Sequence, residues 1–304
     1  MPGIPPLARK AAQRIFLAGD RAGVHLLPVH YYSPVASRKQ LRRTEHVWRR
    51  RLDPMPFPWD LDSQVAWLED TAGAYPAELP LAQLYNRERE FRYGPIEAQF
   101  LHSWLRRNAP SRVVEIGSGT STAIMSEAVE RNVDEGRPAT QVTACDPYTA
   151  DWVTGLPHVT ARKVGGLELG EDVLSLSAGD LLFIDSTHVV RTGSELAHIY
   201  LELVPRLQPG VVVHIHDIFL PYLFSPDIYE SMFDWQETTL VAALLTGNAD
   251  FRVLACQSAL FHERPEALAE VFPEFRPCVI TDGAVVVPDG HFPSSLWLER
   301  VAAD

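Results

Sequence analysis

Between residues 95 and 217 short apolar runs alternate with segments of helical period, and this pattern constrains the fold more than any other feature of the chain. The runs cover residues 112–116, 141–145, 159–164, 180–184 and 211–215. Helical periods cover 96–107, 122–131 and 194–207. Strands this short and this uniformly apolar are buried on both faces, so helices must cover both sides of a mostly parallel sheet. Beyond residue 217 the pattern predicts a helix at 235–245, a strand at 251–255, a proline-interrupted insertion at 263–293 and a last strand at 295–300. The final two strands are expected to pair antiparallel at one edge.

The first 95 residues have a different texture. An amphipathic helix is expected over 5–18, and His30-Tyr31-Tyr32-Ser33-Pro34 forms an aromatic, proline-bounded loop. Pro54, Pro56 and Pro58 forbid a regular helix, because proline lacks the N–H and restricts the residue before it. Asp62 is the expected cap of a helix over 64–72. The chain is therefore divided into a helical cap, residues 1–95, folding over the ligand edge as a lid, and an α/β domain, residues 96–304.

A formal charge of −12 argues against sequence-independent nucleic-acid binding, which depends on Lys and Arg neutralising phosphates. The basic run Arg42, Arg43, Arg49, Arg50 and Arg51 reads as a solvated helix face. Apolar runs fall short of the roughly 20 residues that span a bilayer, and the first ten residues lack the apolar centre of a secretory signal. Cys145, Cys256 and Cys278 show no CxxC spacing, so no structural zinc site is expected. Cys145 and Cys256 read as small buried hydrophobes. A soluble, cytoplasmic protein with no membrane or nucleic-acid partner is the expectation. A homo-oligomer is not excluded.

The first strand runs into Glu115-Ile116-Gly117-Ser118-Gly119-Thr120-Ser121 and then a helix. Such a turn lets backbone approach a ligand, and the helix start offers N–H groups to an anion. Thr122 stands where the dinucleotide pattern G-x-G-x-x-G requires its third glycine, which weakens a nicotinamide reading. Glu115 can orient the turn and meet a cationic amino group. S-adenosylmethionine (SAM) carries both an ammonium and a carboxylate on its methionyl end. Asp146, in Cys145-Asp146-Pro147-Tyr148 at the end of the second strand, can accept from both ribose hydroxyls. The expected cofactor contacts are Glu115, Gly117, Ser118, Gly119, Thr120, Ser121, Asp146, Pro147, Tyr148, Asp185 and Ser186.

Together with Phe183-Ile184-Asp185-Ser186-Thr187-His188 and His214-Ile215-His216-Asp217-Ile218-Phe219-Leu220-Pro221-Tyr222, these motifs resemble the class I SAM-dependent methyltransferases. The likeness is to a bacterial group with a strand ending FID, a nearby His and an HD pair after the fifth strand. His30 to Pro34 and Ser295-Leu296-Trp297-Leu298 extend it over most of residues 24–300. The resemblance implies a Rossmann-like seven-stranded α/β sheet with SAM as cosubstrate. It also implies methyl transfer to O or N of a small molecule, in secondary metabolism. One departure stands out. Where many such enzymes place an acidic or amide group beside the adenine, this chain has Lys163-Val164-Gly165-Gly166.

Asp185, His188, His216 and Asp217 should meet at the carboxyl ends of the fourth and fifth strands, where open α/β sheets bind ligands. Three readings compete. A histidine could take the acceptor's proton, which its ordinary pKa near 6.5 suits. Asp185, His216 and Asp217 could instead hold a divalent metal, as carboxylates do in related catechol-type and sugar O-methyltransferases. Or all four could be hydrogen-bonded scaffold. The histidine base leads, and no metal ligand is assigned. His214 reads as structural. Tyr31, Tyr32, Tyr93 and Tyr148 are expected around the pocket. Rival functions are a cyclase converting SAM to methylthioadenosine and azetidine-2-carboxylate, a non-catalytic SAM-binding module and, last, a dinucleotide oxidoreductase.

Overall fold

The computed structural model describes residues 6–27, 29, 33–73, 75, 78–80, 93–226, 228–229, 234–272, 275, 279–281, 284–286 and 292–302. One sheet contains β1 (Arg112–Ile116), β2 (Gln141–Cys145), β3 (Val159–Arg162), β4 (Leu181–Ile184), β5 (Val212–Ile215), β6 (Phe251–Cys256) and β9 (Leu296–Arg300). Their order is β3-β2-β1-β4-β5-β9-β6. The strands β7 (Val279–Thr281) and β8 (Ala284–Val286) form a separate antiparallel pair inside the segment read as an insertion.

The strands alternate between two cores. Val114, Leu182, Ile184 and Val213 join one apolar cluster, whereas Val113, Leu181, Phe183 and Val212 join the other. Side chains of successive strand residues point to opposite faces, so a run without polar breaks must fill both. The helices, in chain order, are α1 (Pro6–Arg21), α2 (Arg38–Arg43), α3 (Glu45–Trp48), α4 (Leu61–Ala72), α5 (Pro95–Asn108), α6 (Thr120–Asp134), α7 (Gly170–Leu174), α8 (Glu195–His198), α9 (Glu237–Leu245), α10 (Gln257–Glu263) and α11 (Pro265–Val271). Buried residues of α4, α5, α6 and α11 pack on one face, and those of α7, α8 and α9 on the other.

The final two strands pair antiparallel at one edge, as expected: β9 lies between β5 and β6, antiparallel to both, leaving β6 outermost. Leu296, Trp297 and Leu298 are each at most 1% exposed, as befits an interior strand. Three details depart from the sequence reading. The helix expected over 194–207 is broken into α8, a π-helical turn at Ile199–Leu203 and a 3₁₀ turn at Val204–Arg206. Pro205 lacks the N–H and crowds the preceding turn, so a regular ladder cannot pass through it. Asp60, not Asp62, caps α4, its Oδ1 accepting from the N–H groups of Asp62 and Ser63. The segment 263–293 begins with α11, whose Pro265 occupies the first turn, where proline is tolerated.

Within the first 95 residues α4 belongs to the helix layer on the sheet. Gln64 Oε1 accepts from the Cys256 N–H, and Trp67 packs against Trp297 and Phe100. No helix among the described residues is long and apolar enough to cross a membrane. Cys145 and Cys256 are buried free thiols.

Candidate active site

Three strand ends meet at Gly117. Its N–H donates to the Cys145 carbonyl, and the Asp185 N–H donates to the Ile116 carbonyl, both at 2.9 Å. Gly117 has φ +114°, and a Cβ there would lie 2.3 Å from the Asp185 carbonyl oxygen. Glycine is thus required on two grounds, conformation and space. Gly119 differs: at φ 164° its backbone is extended, so its role is not a left-handed turn.

Glu115 sits beneath this turn, fully buried. Its two carboxylate oxygens accept from Ser121 Oγ at 2.5 Å and Thr122 Oγ1 at 2.6 Å. Thr122 Oγ1 in turn accepts the Gly119 N–H at 2.9 Å. Burial pushes the Glu115 pKa up to about 8, against the lowering effect of both hydroxyls. The expectation that Glu115 meets a ligand's amino group is corrected. With no exposed surface and both oxygens committed, it is a strut that fixes the turn and the start of α6. The Ser121 hydroxyl is spent on the same strut.

Asp146 stands at the rim, half-buried. Its Oδ1 accepts the Tyr148 N–H at 2.7 Å, and its Oδ2 faces Ser118 Oγ at 3.3 Å. Pro147 and Thr120 flank this crevice in sequence; Pro147 is exposed and Thr120 buried. Tyr148 is 91% exposed and does not enclose a pocket, which corrects its assignment as a lining residue. Ser186 Oγ is buried with no hydrogen-bond partner, directly after Asp185.

At the ends of β4 and β5 the other expected residues converge. His188 Nε2 lies 3.3 Å from Asp185 Oδ1 and 3.6 Å from Asp217 Oδ2. His216 Nδ1 lies 3.4 and 3.6 Å from the same two oxygens. His188 Nδ1 is 2.7 Å from Glu237 Oε2, and Glu237 Oε1 accepts from Tyr200 Oη at 2.6 Å. Ser294 Oγ donates to Asp217 Oδ1 at 2.9 Å. Glu97 Oε1 lies 3.5 Å from His216 Nε2 and accepts from the Ser294 N–H and Ser295 Oγ. His216 is 3% exposed, yet neither of its ring nitrogens makes a directed hydrogen bond.

Electrostatics follow from this crowding. Burial lowers both histidines, but the carboxylates win. Asp185 and Glu237 hold His188 well above its ordinary pKa, and Asp217 and Asp185 do the same for His216. Burial would raise Asp185, but His216 and His188 keep it below the usual carboxylate range. Among the described residues no Lys or Arg pairs with Asp185, Asp217 or Glu237. His188 and Asp217 both take φ +57°, a region that non-glycine residues rarely adopt and that recurs at functional sites.

Other expected residues fall elsewhere. His214 stacks on Phe183 at 4.1 Å, and its Nε2 meets Tyr93 Oη and Ser295 Oγ, so burial depresses its pKa to about 3. Tyr93 is 2% exposed and packs under His216 at 5.0 Å, a support for the site rather than a pocket wall. Tyr31 and Tyr32 lie outside the described residues. Glu237, Tyr200, Glu97 and Ser294 escaped the sequence reading. Glu97 and Glu237 each sit in the first turn of a helix, where acidic residues are common for the helix dipole alone.

A separate pocket of about 170 Å³ is lined by Trp48, Phe219, Tyr222, Phe224, His262 and Phe292. Phe219 follows Asp217 by two residues, and Phe292 precedes Ser294 by two.

Residues 114–218 match the family model described as a methyltransferase domain. Among solved structures, the chain is similar to an O-methyltransferase from Bacillus cereus in complex with SAH. Identity is 14%, coverage 70% of this chain and 87% of that one, and TM-score 0.36. It is also similar to a TDP-rhamnose 3'-O-methyltransferase of calicheamicin biosynthesis, at 14% identity, 82% and 99% coverage and TM-score 0.32. A SAM-dependent methyltransferase from Anabaena variabilis shares 13% identity over 83% and 100% of the two chains, with TM-score 0.29. No curated protein matches the sequence.

Proposed function

We propose that this chain, whose residues 114–218 match a methyltransferase domain, uses SAM to methylate a hydroxyl oxygen of a small, partly aromatic molecule. One observation supports this reading above the rest: Asp185, His188, His216 and Asp217 converge beside the turn, where Gly117 abuts the Asp185 backbone. A methyl group carried by SAM in that crevice needs an attacking atom in line with the carbon–sulfur bond. Placement supplies much of the rate. The acceptor oxygen forms the new bond to the methyl carbon, and the breaking bond leaves its electron pair on sulfur as S-adenosylhomocysteine. The hydroxyl proton passes to a carboxylate of the cluster, since its two imidazoles are held well above their ordinary pKa.

Asp146 is assigned to the ribose, and Gly117 to Ser121 to the methionyl end. The aromatic pocket behind Phe219 and Phe292 is assigned to the acceptor, since such walls suit a flat apolar body. Residues 48–52 then act as the lid. Trp48 lines the pocket, and the Leu52 N–H donates to the Pro221 carbonyl at 2.9 Å, tying this segment to the loop after β5.

The test is incubation with SAM and a panel of phenols, catechols and sugar hydroxyls, read by mass spectrometry. The expected result is a product one methyl heavier plus S-adenosylhomocysteine. Methylthioadenosine from SAM alone would instead identify the cyclase, and SAM binding without turnover on any acceptor would identify a binding module.

A further inference from the structure

We propose that the aromatic pocket beside Trp48 recognises a one-ring aromatic carboxylate, with Arg49 Nη2 donating to the carboxylate oxygen. The proposal deepens the methyltransferase reading by naming the class of acceptor. It rests on that reading for the ligand's being methylated, though not for its binding.

Charge is concentrated where the pocket lies. Residues 38–51 carry Lys39 and six arginines against a single acid, Glu45, in a chain whose formal charge is −12. A local positive field draws anions and raises their concentration at the surface. A solvated helix face accounts for Arg42, Arg43 and Arg50, which are exposed. It does not account for Arg49, which is partly buried and lines the pocket.

Arg49 is fixed by its neighbours. Its Nη1 pairs with Glu45 Oε1 at 2.6 Å, one helical turn back. Its guanidinium carbon lies 5.2 Å from the centre of the Trp48 ring and 5.8 Å from that of Tyr229. Trp48 is anchored in turn, since its Nε1 donates to the Leu41 carbonyl at 2.9 Å and its ring meets Tyr229 edge-on at 5.5 Å. Arg49 Nη2 is left over. It is buried with no hydrogen-bond partner among the described residues. A guanidinium nitrogen can only donate, and buried donors are nearly always satisfied, so this one calls for an acceptor from outside the chain.

The remaining walls indicate what carries that acceptor. Phe219 and Phe292 are buried and stack at 6.1 Å, while Tyr222 and Phe292 pack on His262 at 5.0 and 5.7 Å. Rings in mutual contact make rigid, flat surfaces that suit another ring. The volume is about 170 Å³. A cavity of about 150 Å³ holds benzene, so the space matches one ring with small substituents.

The ligand's charge follows from the same residues. Among the described lining residues there is no Asp or Glu to repel an anion. Burial lowers the His262 pKa and leaves the ring uncharged at neutral pH, so Arg49 supplies the positive charge. Glu45 already neutralises part of it. A single carboxylate charge matches what remains, and charge-assisted bonds of this kind are stronger than neutral ones. A phosphate dianion needs further cations, which the described lining residues lack.

The experiment is calorimetric titration of the full chain with 4-hydroxybenzoate, 4-hydroxybenzamide and phenyl phosphate. The acid should bind about 10- to 100-fold more tightly than the amide, and more tightly than the phosphate. Arg49→Met keeps an unbranched stem against Trp48 and should erase the preference for the acid, with little change for the amide and unchanged circular dichroism. Arg49→Lys should restore part of the preference. Equal binding of acid and amide by the wild type, a preference that survives in Arg49→Met, or tighter binding of the phosphate would each overturn the proposal. The wild-type comparison decides the matter even where Arg49→Met does not fold. Preference for the acid with no methyl transfer from SAM to any hydroxylated ring would leave the site standing and sink the methyltransferase reading. Methyl transfer to phenols by a protein that binds acid and amide alike would do the reverse.

Discussion

The turn after β1 and the cluster after β4 and β5 are close neighbours built on opposite principles. In the turn, polar groups answer one another: Glu115 takes both hydroxyls, and Thr122 takes the Gly119 N–H. In the cluster, oxygens and imidazole nitrogens face each other at 3.3–3.6 Å with no Lys or Arg between them among the described residues. A satisfied network is rigid and keeps its shape when empty. In the cluster the positive partners are the two imidazoles themselves, which the carboxylates hold well above their ordinary pKa. The contrast separates scaffold from chemistry more sharply than residue type does, since both regions contain buried acids.

Substitutions can break this contrast. The largest effect is expected from Asp217→Asn, which keeps shape and the Ser294 contact but removes the negative charge from the cluster. Turnover should fall by about 10²–10⁴-fold, measured as product formed under saturating SAM, while the melting temperature changes little. Equal turnover would make the cluster scaffold. Gly117→Ala comes next. It drives a Cβ into the Asp185 carbonyl at 2.3 Å and should cost about 3 kcal/mol of stability in denaturant unfolding, along with SAH affinity.

A smaller loss follows from Thr122→Val, which cuts the strut at one end. Stability should drop by about 1–2 kcal/mol, as for a lost helix cap, with turnover reduced only through weaker SAM binding. A rise in KM for SAM without a fall in kcat would sharpen the division of labour.

The smallest prediction lies away from both regions. His102 is fully buried, and burial lowers its pKa to about 4. The folded form therefore disfavours a proton that the unfolded chain accepts below its ordinary value of 6.5. The stability it contributes is complete above that value and is lost as pH falls towards 4, by about 1.4 kcal/mol per unit within that window. His102→Gln should show a shallower acid slope by one proton in unfolding measured from pH 6.5 to 4; an unchanged slope would contradict the assignment.

What could be read from sequence divides along similar lines. Strand edges at Arg112–Ile116 and Gln141–Cys145 were legible to the residue, because an apolar run flanked by turn residues is a local signal. The antiparallel pairing of β9 with β6 was also legible, but its place beside β5 was not, since that depends on where the chain returns after residue 257. Asp185, His188, His216 and Asp217 were legible because two strand ends carry them. Their supports were hidden. Glu237 reaches His188 across 49 residues of sequence, and Ser294 reaches Asp217 across 77, while each looks ordinary in its own neighbourhood. The role of Glu115 was half legible: an acid before Gly-x-Gly signals the turn, but only burial shows that its oxygens face inward.

Calorimetric titration of S-adenosylhomocysteine into the wild-type protein and into Asp146→Ala asks most directly whether the crevice between the two regions holds the cosubstrate. The account predicts one site per chain in the wild type and a loss of about tenfold or more in affinity when the Asp146 carboxylate is removed. Binding of equal strength in both proteins, or none in either, would contradict it.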